Sequence, residues 1–481
     1  MKLIRKTSFV ALTFSACWLS PLANANPETL TLESYLSEVR QKNTAIRGSL
    51  ETSAGAMARS HEADLLTRPA VFGNWRWSSD GSLANSIIPL EKTISNSFSA
   101  GVSQTTSFGL SARLYYSLNY TDLVGVSPAF APILPATTFN DSRPALELTQ
   151  SLWRNSLGAE TLATQDASLA AAQAVSFAES FRTKLVLADS ELSYWRLVLA
   201  RDTIVISQDN LNRSIKLHEW STRRLRLHLG DQADVLQAEA ALQARKLDLQ
   251  NALDEEKVAS RGFNTARNKE SNQVPEILES LDPNKVSSLK APEKSQFRED
   301  VLAAEQQSHA SQASSRMGEE KNKPTLEAFG TLALNGRDTT LGPAVSASFG
   351  TDRPTFIIGA RFMAPLDWSA LKANRAGYAR EEQGADLAYQ RKLFETNREW
   401  KDLEARLEES RGRFSLVQKL EKVQKEKLLL EKERLSHGRT TTYQVLLFEM
   451  DYALAQLGRI RAEAELLQLI AQMRTFSGAN S

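Results

Sequence analysis

Cysteine is almost missing from this chain: one in 481 residues, Cys17, inside an apolar N-terminal stretch. That scarcity excludes a disulfide framework, and thiol chemistry as well once the stretch is removed. The five histidines, at 61, 218, 228, 309 and 437, show no metal-ligand spacing. A glycine-rich phosphate loop, a nucleophile elbow and a His-Glu-x-x-His pair are all missing. No sign of charge dominates, with a formal net charge of +1, so nothing in the balance points to nucleic acid. Past the N-terminus no run of about 18 apolar residues occurs, so no transmembrane helix is expected. A membrane span would then have to be a closed β-barrel, because only helices and closed barrels satisfy every backbone group in lipid.

The N-terminus reads as an export signal. "MKLIRK" is a basic lead, "TSFVALTFSACWL" an apolar core, and Ala23-Asn24-Ala25 a small-x-small cleavage site, so residues 1–25 are expected to be a secretory signal peptide. A buried N-terminal helix is the alternative. "FSAC" also loosely resembles a lipobox, which would leave Cys17 as a lipidated terminus. Cleavage after residue 25 removes three cations, Lys2, Arg5 and Lys6, and takes the charge from +1 to −2.

What is present is a pair of periodicities. In "AVFGNWRWSS", Val71, Gly73, Trp75 and Trp77 fall on one face and Phe72, Asn74, Arg76 and Ser78 on the other. "LSARLYYSLNY" alternates more cleanly, with Leu110, Ala112, Leu114, Tyr116, Leu118 and Tyr120 opposed to Ser111, Arg113, Tyr115, Ser117 and Asn119. "ALELTQSL", "TLEAFGTLAL" and "TFIIGARFMAPL" behave similarly. A two-residue period suits a strand with one lipid-like and one wet face, although an amphipathic strand of a soluble sandwich has the same period.

Between the strand blocks lie two long stretches without proline, from about Ala159 to Arg226 and from about Ser369 to Arg434. Leu185, Leu192, Leu199 and Ile206 recur every seven residues, with Ala188 and Trp195 on a second seam position; Leu416, Leu420, Val423 and Leu430 carry the second stretch. Such spacing predicts coiled-coil packing. Helices of this length would run roughly 100 Å at 1.5 Å per residue, which makes the molecule a rod.

The two halves correspond in order. "RPAVFGNW" answers "KPTLEAFG", and "LTQSLWRNSLG" answers "MAPLDWSALKA" where a strand hands over to the long helix. "RLHLG" and "RLSHG" read as matching Arg-x-x-x-Gly tips of helical hairpins. The organisation expected is a signal peptide at 1–25, a first repeat at 26–267, a linker at 268–296, a second repeat at 297–475 and a tail at 476–481. Residues 81–142 hold extra strand-like sequence, including "FSAGVSQTT" and the proline-rich "VSPAFAPILPATTF". It reads either as an outer-surface hairpin or as additional barrel strands.

In "LTLESYLSEVRQKNTAIRGS", "LTQSLWR", "SYWRLVLA" and above all "RLHLGDQADVLQAEAALQARKLDLQNA", echoed by "RLSHGRTTTYQVLLFEMDYALAQL", the mature chain resembles the TolC-like outer-membrane efflux proteins over nearly its whole length. That resemblance implies an α+β membrane protein. In it three protomers share one antiparallel β-barrel, four strands from each, which continues into a long α-helical coiled-coil tunnel in the periplasm. It implies a homotrimer in the cell outer membrane, in contact with its lipid. The helical end would meet a periplasmic adaptor protein, which links it to an inner-membrane pump. The function implied is a passive channel of a tripartite efflux or type I secretion system, with no cofactor, no nucleic acid and no enzymatic activity. The alternative is a periplasmic coiled-coil scaffold or adaptor.

Candidate site residues follow. Arg226, Leu229, Gly230, Arg434 and Gly438 mark the tips as adaptor-docking surfaces, while glycine capping and arginine at a helix C-terminus have ordinary structural uses. Asp231 and Asp234 are candidate gate residues if a threefold axis brings copies together; the plainer reading is helix capping. Arg76, Arg113, Glu147, Glu327 and Arg361 are the candidate barrel-lumen charges. The tips depart from one another: Asp234 follows Gly230 by four residues, whereas "QVL" restarts six after Gly438, and Gln444 stands where the family often has an acid.

Overall fold

A computed structural model describes residues 29–82, 90–126, 136–279 and 289–478, together with residues 130, 133, 134 and 286. The expected signal peptide and Cys17 lie outside the described residues, as do parts of the 81–142 and 268–296 segments.

The chain begins with two short helices, α1 (Leu32–Lys42) and α2 (Thr44–Ser60), started by Thr31 and Asn43 side chains that accept from the first-turn amides. Four strands follow in a meander: β1 (Ala70–Asp80), β2 (Lys92–Thr105), β3 (Leu110–Val124) and β4 (Thr138–Ser151). The first long helix, α3 (Ala159–Arg226), returns through α4 (Gln232–Ala266). The second half repeats the plan with α5 (Glu299–Lys321), β5 (Thr325–Leu334), the short β6 (Gly336–Asp338), a small helix α6 (Leu341–Ala347), β7 (Pro354–Met363), the long α7 (Trp368–Ser436) and α8 (Thr442–Arg474). α3 and α7, at 68 and 69 residues, each reach about 100 Å.

All strands join one antiparallel sheet in the order β1-β2-β3-β4-β5-β7, with β6 paired to β4. The expectation of four strands per chain is therefore corrected to six long ones, because β2 and β3 from the 81–142 segment fill the sheet between β1 and β4. The Ser-rich sequence of β2 and the clean alternation of β3 mark strands but give no hint of which strands they sit between.

Four apolar clusters hold the helices. Tyr35, Val39, Tyr194, Leu197 and Phe263 pack where α1 crosses α3 and α4, with Tyr35 stacked on Phe263 at 4.3 Å between centroids. Trp400, Leu407, Phe414, Leu466 and Met473 join α7 to α8. Leu199 and Ile206 meet Ile460 and Leu467, so part of the expected first seam is buried inside the chain. A fourth cluster near the tips contains Leu217, Leu428, Leu435 and Val445.

The segments on either side of the second repeat pack against the helices. The segment read as a linker contributes Val274 and Leu278 to the first cluster and Val286 to the second. The segment read as a tail begins with Phe476, which is buried against Trp400 at 5.3 Å and whose carbonyl accepts from the Ser295 amide. Apolar residues amid polar sequence are what binds both segments down.

Candidate channel wall and helical tips

The sheet has two chemically opposite faces. One row crosses all six long strands as Val71, Val102, Leu114, Leu146, Leu332 and Phe356, each in register with the next. Beside it run Trp75, Phe98 and Leu118. These side chains are largely uncovered, with Val71, Trp75, Leu114 and Phe356 at 84%, 72%, 61% and 70% exposure. On the long strands the charges sharing this face are Lys92 and Asp122, both at the end away from the helices. An apolar band of this kind is what lipid requires of a barrel's outer surface.

The other face is wet. Arg76, Ser97, Asn119, Asp141 and Arg337 form one row. All five candidate lumen residues stand on this face. Arg113 and Glu147 are cross-strand partners at 3.3 Å, and Glu147 also accepts from the Tyr115 hydroxyl at 3.0 Å. Glu327 and Arg361 are likewise in register at 3.7 Å. The Arg113 guanidinium lies over the Phe72 ring, 4.8 Å from its centroid. Sequence reasoning missed a third pair: Arg337 grips Asp141 through two bonds of 2.5 and 3.0 Å and stacks on Phe139. Alternation through "FNDSRPALEL" would have revealed Asp141, but three-residue β6 is too short to carry a period.

One spot on the apolar face is covered from within. Ser142 and Tyr116 there bond to each other and to the Ser348 hydroxyl, at 3.1 and 3.2 Å respectively, and Phe349 stacks on Tyr116. The turn after α6 thus satisfies hydroxyls that lipid could not.

The tips end the rods with one repeated piece of geometry. After α3 the Leu229 amide donates to Arg224 and the His228 amide to Leu225; after α7 the Arg439 amide donates to Arg434 and the Gly438 amide to Leu435. Both are Schellman closures, whose penultimate position is left-handed. It is filled by His228 (φ 55°) in one tip and Gly438 (φ 68°) in the other. The Arg-x-x-x-Gly equivalence is therefore a misalignment. Gly438 corresponds to His228, and Arg434 to Arg224 rather than to Arg226. Five residues join the helices at each tip, 227–231 and 437–441, so the expected difference in length disappears. Gly230 serves differently. A Cβ there would stand 3.2 Å from the Arg224 Cβ and 3.4 Å from the Leu225 nitrogen.

Asp231 and Thr441 are the matching N-caps, accepting from Ala233 and Gln444 at 3.2 and 3.3 Å. Asp231 is exposed and Asp234, in the first turn of α4, is half-buried. Leu227 and Leu229 project apolar surface from the first tip. Arg224, which sequence reasoning passed over, stacks on Trp220 at 4.8 Å and donates to the Leu229 carbonyl at 2.7 Å. Arg434 pairs with the buried Glu431 at 3.3 Å.

The helical rods also carry an unpaired stripe. Leu416, Leu420, Val423 and Leu430 are each about half-exposed or more, so the seam expected from them is not closed within one chain. The closed seam of α7 is Trp400, Leu407, Phe414, Leu428 and Leu435. Deeper in the bundle, Arg459 donates to Glu421 and to the buried Glu463, both at 2.7 Å. Burial raises the Glu463 carboxyl above its ordinary range against the pull of Arg459, and burial raises Asp202 nearby in the same way.

No model of a known protein family matches the sequence, and no curated protein matches it. Solved structures do match. CusC, described in terms of folding and transmembrane channel formation, superposes with a TM-score of 0.68 at 13% identity over 94% of this chain and 93% of that one. The Campylobacter jejuni CmeC outer membrane channel gives 0.65 at 14%, over 94% and 87%. The Vibrio cholerae outer membrane protein VceC gives 0.66 at 12%, over 94% and 97%. The fold is that of the TolC-like outer-membrane channels, with an antiparallel sheet continuing into long paired helices.

Proposed function

We propose that three copies of this chain form a passive channel in the outer membrane, with the long helices extending into the periplasm as a tunnel. One observation carries the reading: a sheet of six long strands with an apolar face, a charged face and, among the described residues, two unpaired edges. Six strands are too few to enclose a usable pore, since eight enclose little more than their own side chains. An exposed sheet edge left unpaired invites association. The half-exposed stripe on α7 suits a second seam between copies.

The charged face, with Arg76, Arg113, Glu147, Glu327 and Arg361, then lines the water-filled lumen. The tips around Arg226, Leu229, Gly230, Arg434 and Gly438 dock a periplasmic adaptor that connects to an inner-membrane pump, for efflux or for type I secretion. Asp231 and Asp234 stand where copies would converge as a gate. The channel performs no chemistry of its own. The likeness to outer-membrane channels supports this reading over a periplasmic scaffold, and so does the apolar face, which a water-soluble scaffold would have to cover.

Fractionation tests it. The protein should require detergent for extraction, run as a trimer, and conduct ions when reconstituted in planar bilayers. A monomer recovered from the soluble periplasm would refute the channel.

A further inference from the structure

Resting on that trimeric reading, we propose that the β2–β3 hairpin is part of the barrel wall, and that three chains close an eighteen-stranded barrel through a β1–β7 seam between neighbouring copies.

The hairpin is not an appendage. β2 pairs with β1 from Ala70↔Ser103 to Asp80↔Thr93, and β3 pairs with β4 from Leu110↔Gln150 to Asp122↔Thr138, so β1 and β4 are not paired with one another. Its faces continue those of the neighbouring strands without a break. Val102 and Leu114 carry the apolar row from Val71 to Leu146, and Ser97 and Asn119 carry the polar row from Arg76 to Asp141. A hairpin lying on the outer surface would have no reason to match both faces in phase, because a slip of one residue inverts every side chain.

The turn at its helix-side end is locked into the junction. Residues 155, 157 and 158, between β4 and α3, have positive φ, and this elbow wraps the Thr106–Leu110 turn. The Ser151 amide donates to the Gly109 carbonyl at 3.2 Å and the Gln150 side chain to the Phe108 carbonyl at 3.2 Å. A Cβ on Gly158 would run into the Ser107 carbonyl, so only glycine lets the turn seat there.

Among the described residues the free edges are β1 and β7, of 11 and 10 residues. An even number of antiparallel strands leaves them running in opposite directions, so β1 of one copy can add antiparallel to β7 of the next. The apolar row then passes from Phe356 of one chain to Val71 of its neighbour. At constant tilt, circumference grows with strand number, so this wall is about 1.5-fold wider than a twelve-stranded one and encloses roughly 2.2-fold more area. Barrels of 16–18 strands leave an aqueous channel. The barrel therefore does not set the size limit on cargo, which falls to the helical tunnel.

Cysteine mapping on the full-length protein in outer membranes tests this, in a Cys17→Ala background. Asn74→Cys or Ser78→Cys on β1 is combined in turn with Thr355→Cys, Ile357→Cys or Arg361→Cys on β7. We expect oxidised dimers and trimers for at least one register. Asn74→Cys with Arg143→Cys or Glu147→Cys should give no bridge, because β1 and β4 lie three strand spacings, about 14 Å, apart, beyond disulfide reach. Electron cryo-microscopy of the untreated trimer should show eighteen strands in cross-section. A β1–β4 bridge, or twelve strands in a trimer, overturns the eighteen-stranded wall while leaving the channel. A monomer would instead overturn the trimeric reading itself.

Discussion

Placing one arginine on the apolar face gives the sharpest test of which side of the sheet meets lipid. Leu114 sits in the row that spans all six long strands, in register with Val102 and Leu146, and is 61% exposed. An arginine on the lipid face near the bilayer midplane costs about 2–4 kcal/mol. Three copies would lose roughly 6–12 kcal/mol per trimer, comparable with the 5–15 kcal/mol that typically stabilises a whole domain. Ser99→Arg is the control, one strand away on the opposite face between Asn74 and Ser117. A charge facing a wet lumen should change stability by no more than about 0.5 kcal/mol. Nature has already placed Arg113 beside Leu114 on that wet side. Folding into lipid vesicles, followed by urea titration and by the heat-resistant trimer band on gels, measures the contrast. Should Leu114→Arg assemble as readily as Ser99→Arg, the assignment of faces is wrong.

Other outcomes follow from the tips and the bundle. Gly438→Ala, which puts a Cβ on a left-handed residue, should destabilise the second tip by about 1 kcal/mol, and His228→Gly should stabilise the first by a similar amount; amide exchange at the two tips would reveal the opposite signs. Gly230→Ile should abolish export while the trimer still inserts, because the new side chain displaces Arg224 and Leu225; normal export in that variant removes the docking assignment. Arg459→Ala should cost about 3–5 kcal/mol at neutral pH by leaving the buried Glu463 charge unpaired. A carboxyl whose folded pKa is raised favours the fold below its unfolded pKa, and that contribution is lost as pH rises through the folded value. The deficit of Arg459→Ala should thus shrink as the pH is lowered, and thermal melts at neutral and acid pH would fail to support this if the deficit stayed constant.

Much of this architecture was legible in the residues. Alternation located β1, β3, β4, β5 and β7, and the absence of proline bounded α3 and α7 to within about two residues. All five candidate lumen charges share a face because phase along a strand is fixed by a period of two. Sheet partners were not legible, since "SNSFSAGVSQT" states a strand but not its neighbours. Nor was the seam of α7. Leu416, Val423 and Leu430 have the same seven-residue spacing as Leu407 and Phe414, and composition cannot tell a stripe closed by its own chain from one left for another. The tips were misread because glycine marks left-handed caps only on average. His228 took that position in the first tip, and Gly230 beside it drew the alignment two residues out of phase.

The split of the sheet along the chain bears on how the protein is made. β1 to β4 are consecutive neighbours in sequence and in the sheet, so the meander can form through connections that are short in sequence soon after that segment is released, with little loop entropy to overcome. β5 cannot join β4 until the chain between Ser151 and Thr325 has folded back on itself, which closes one long loop. The edge that waits is β4, and until β5 arrives it is a ready template for wrong partners. Assembly of this molecule is therefore most exposed to misfolding in the interval when its rods are half built.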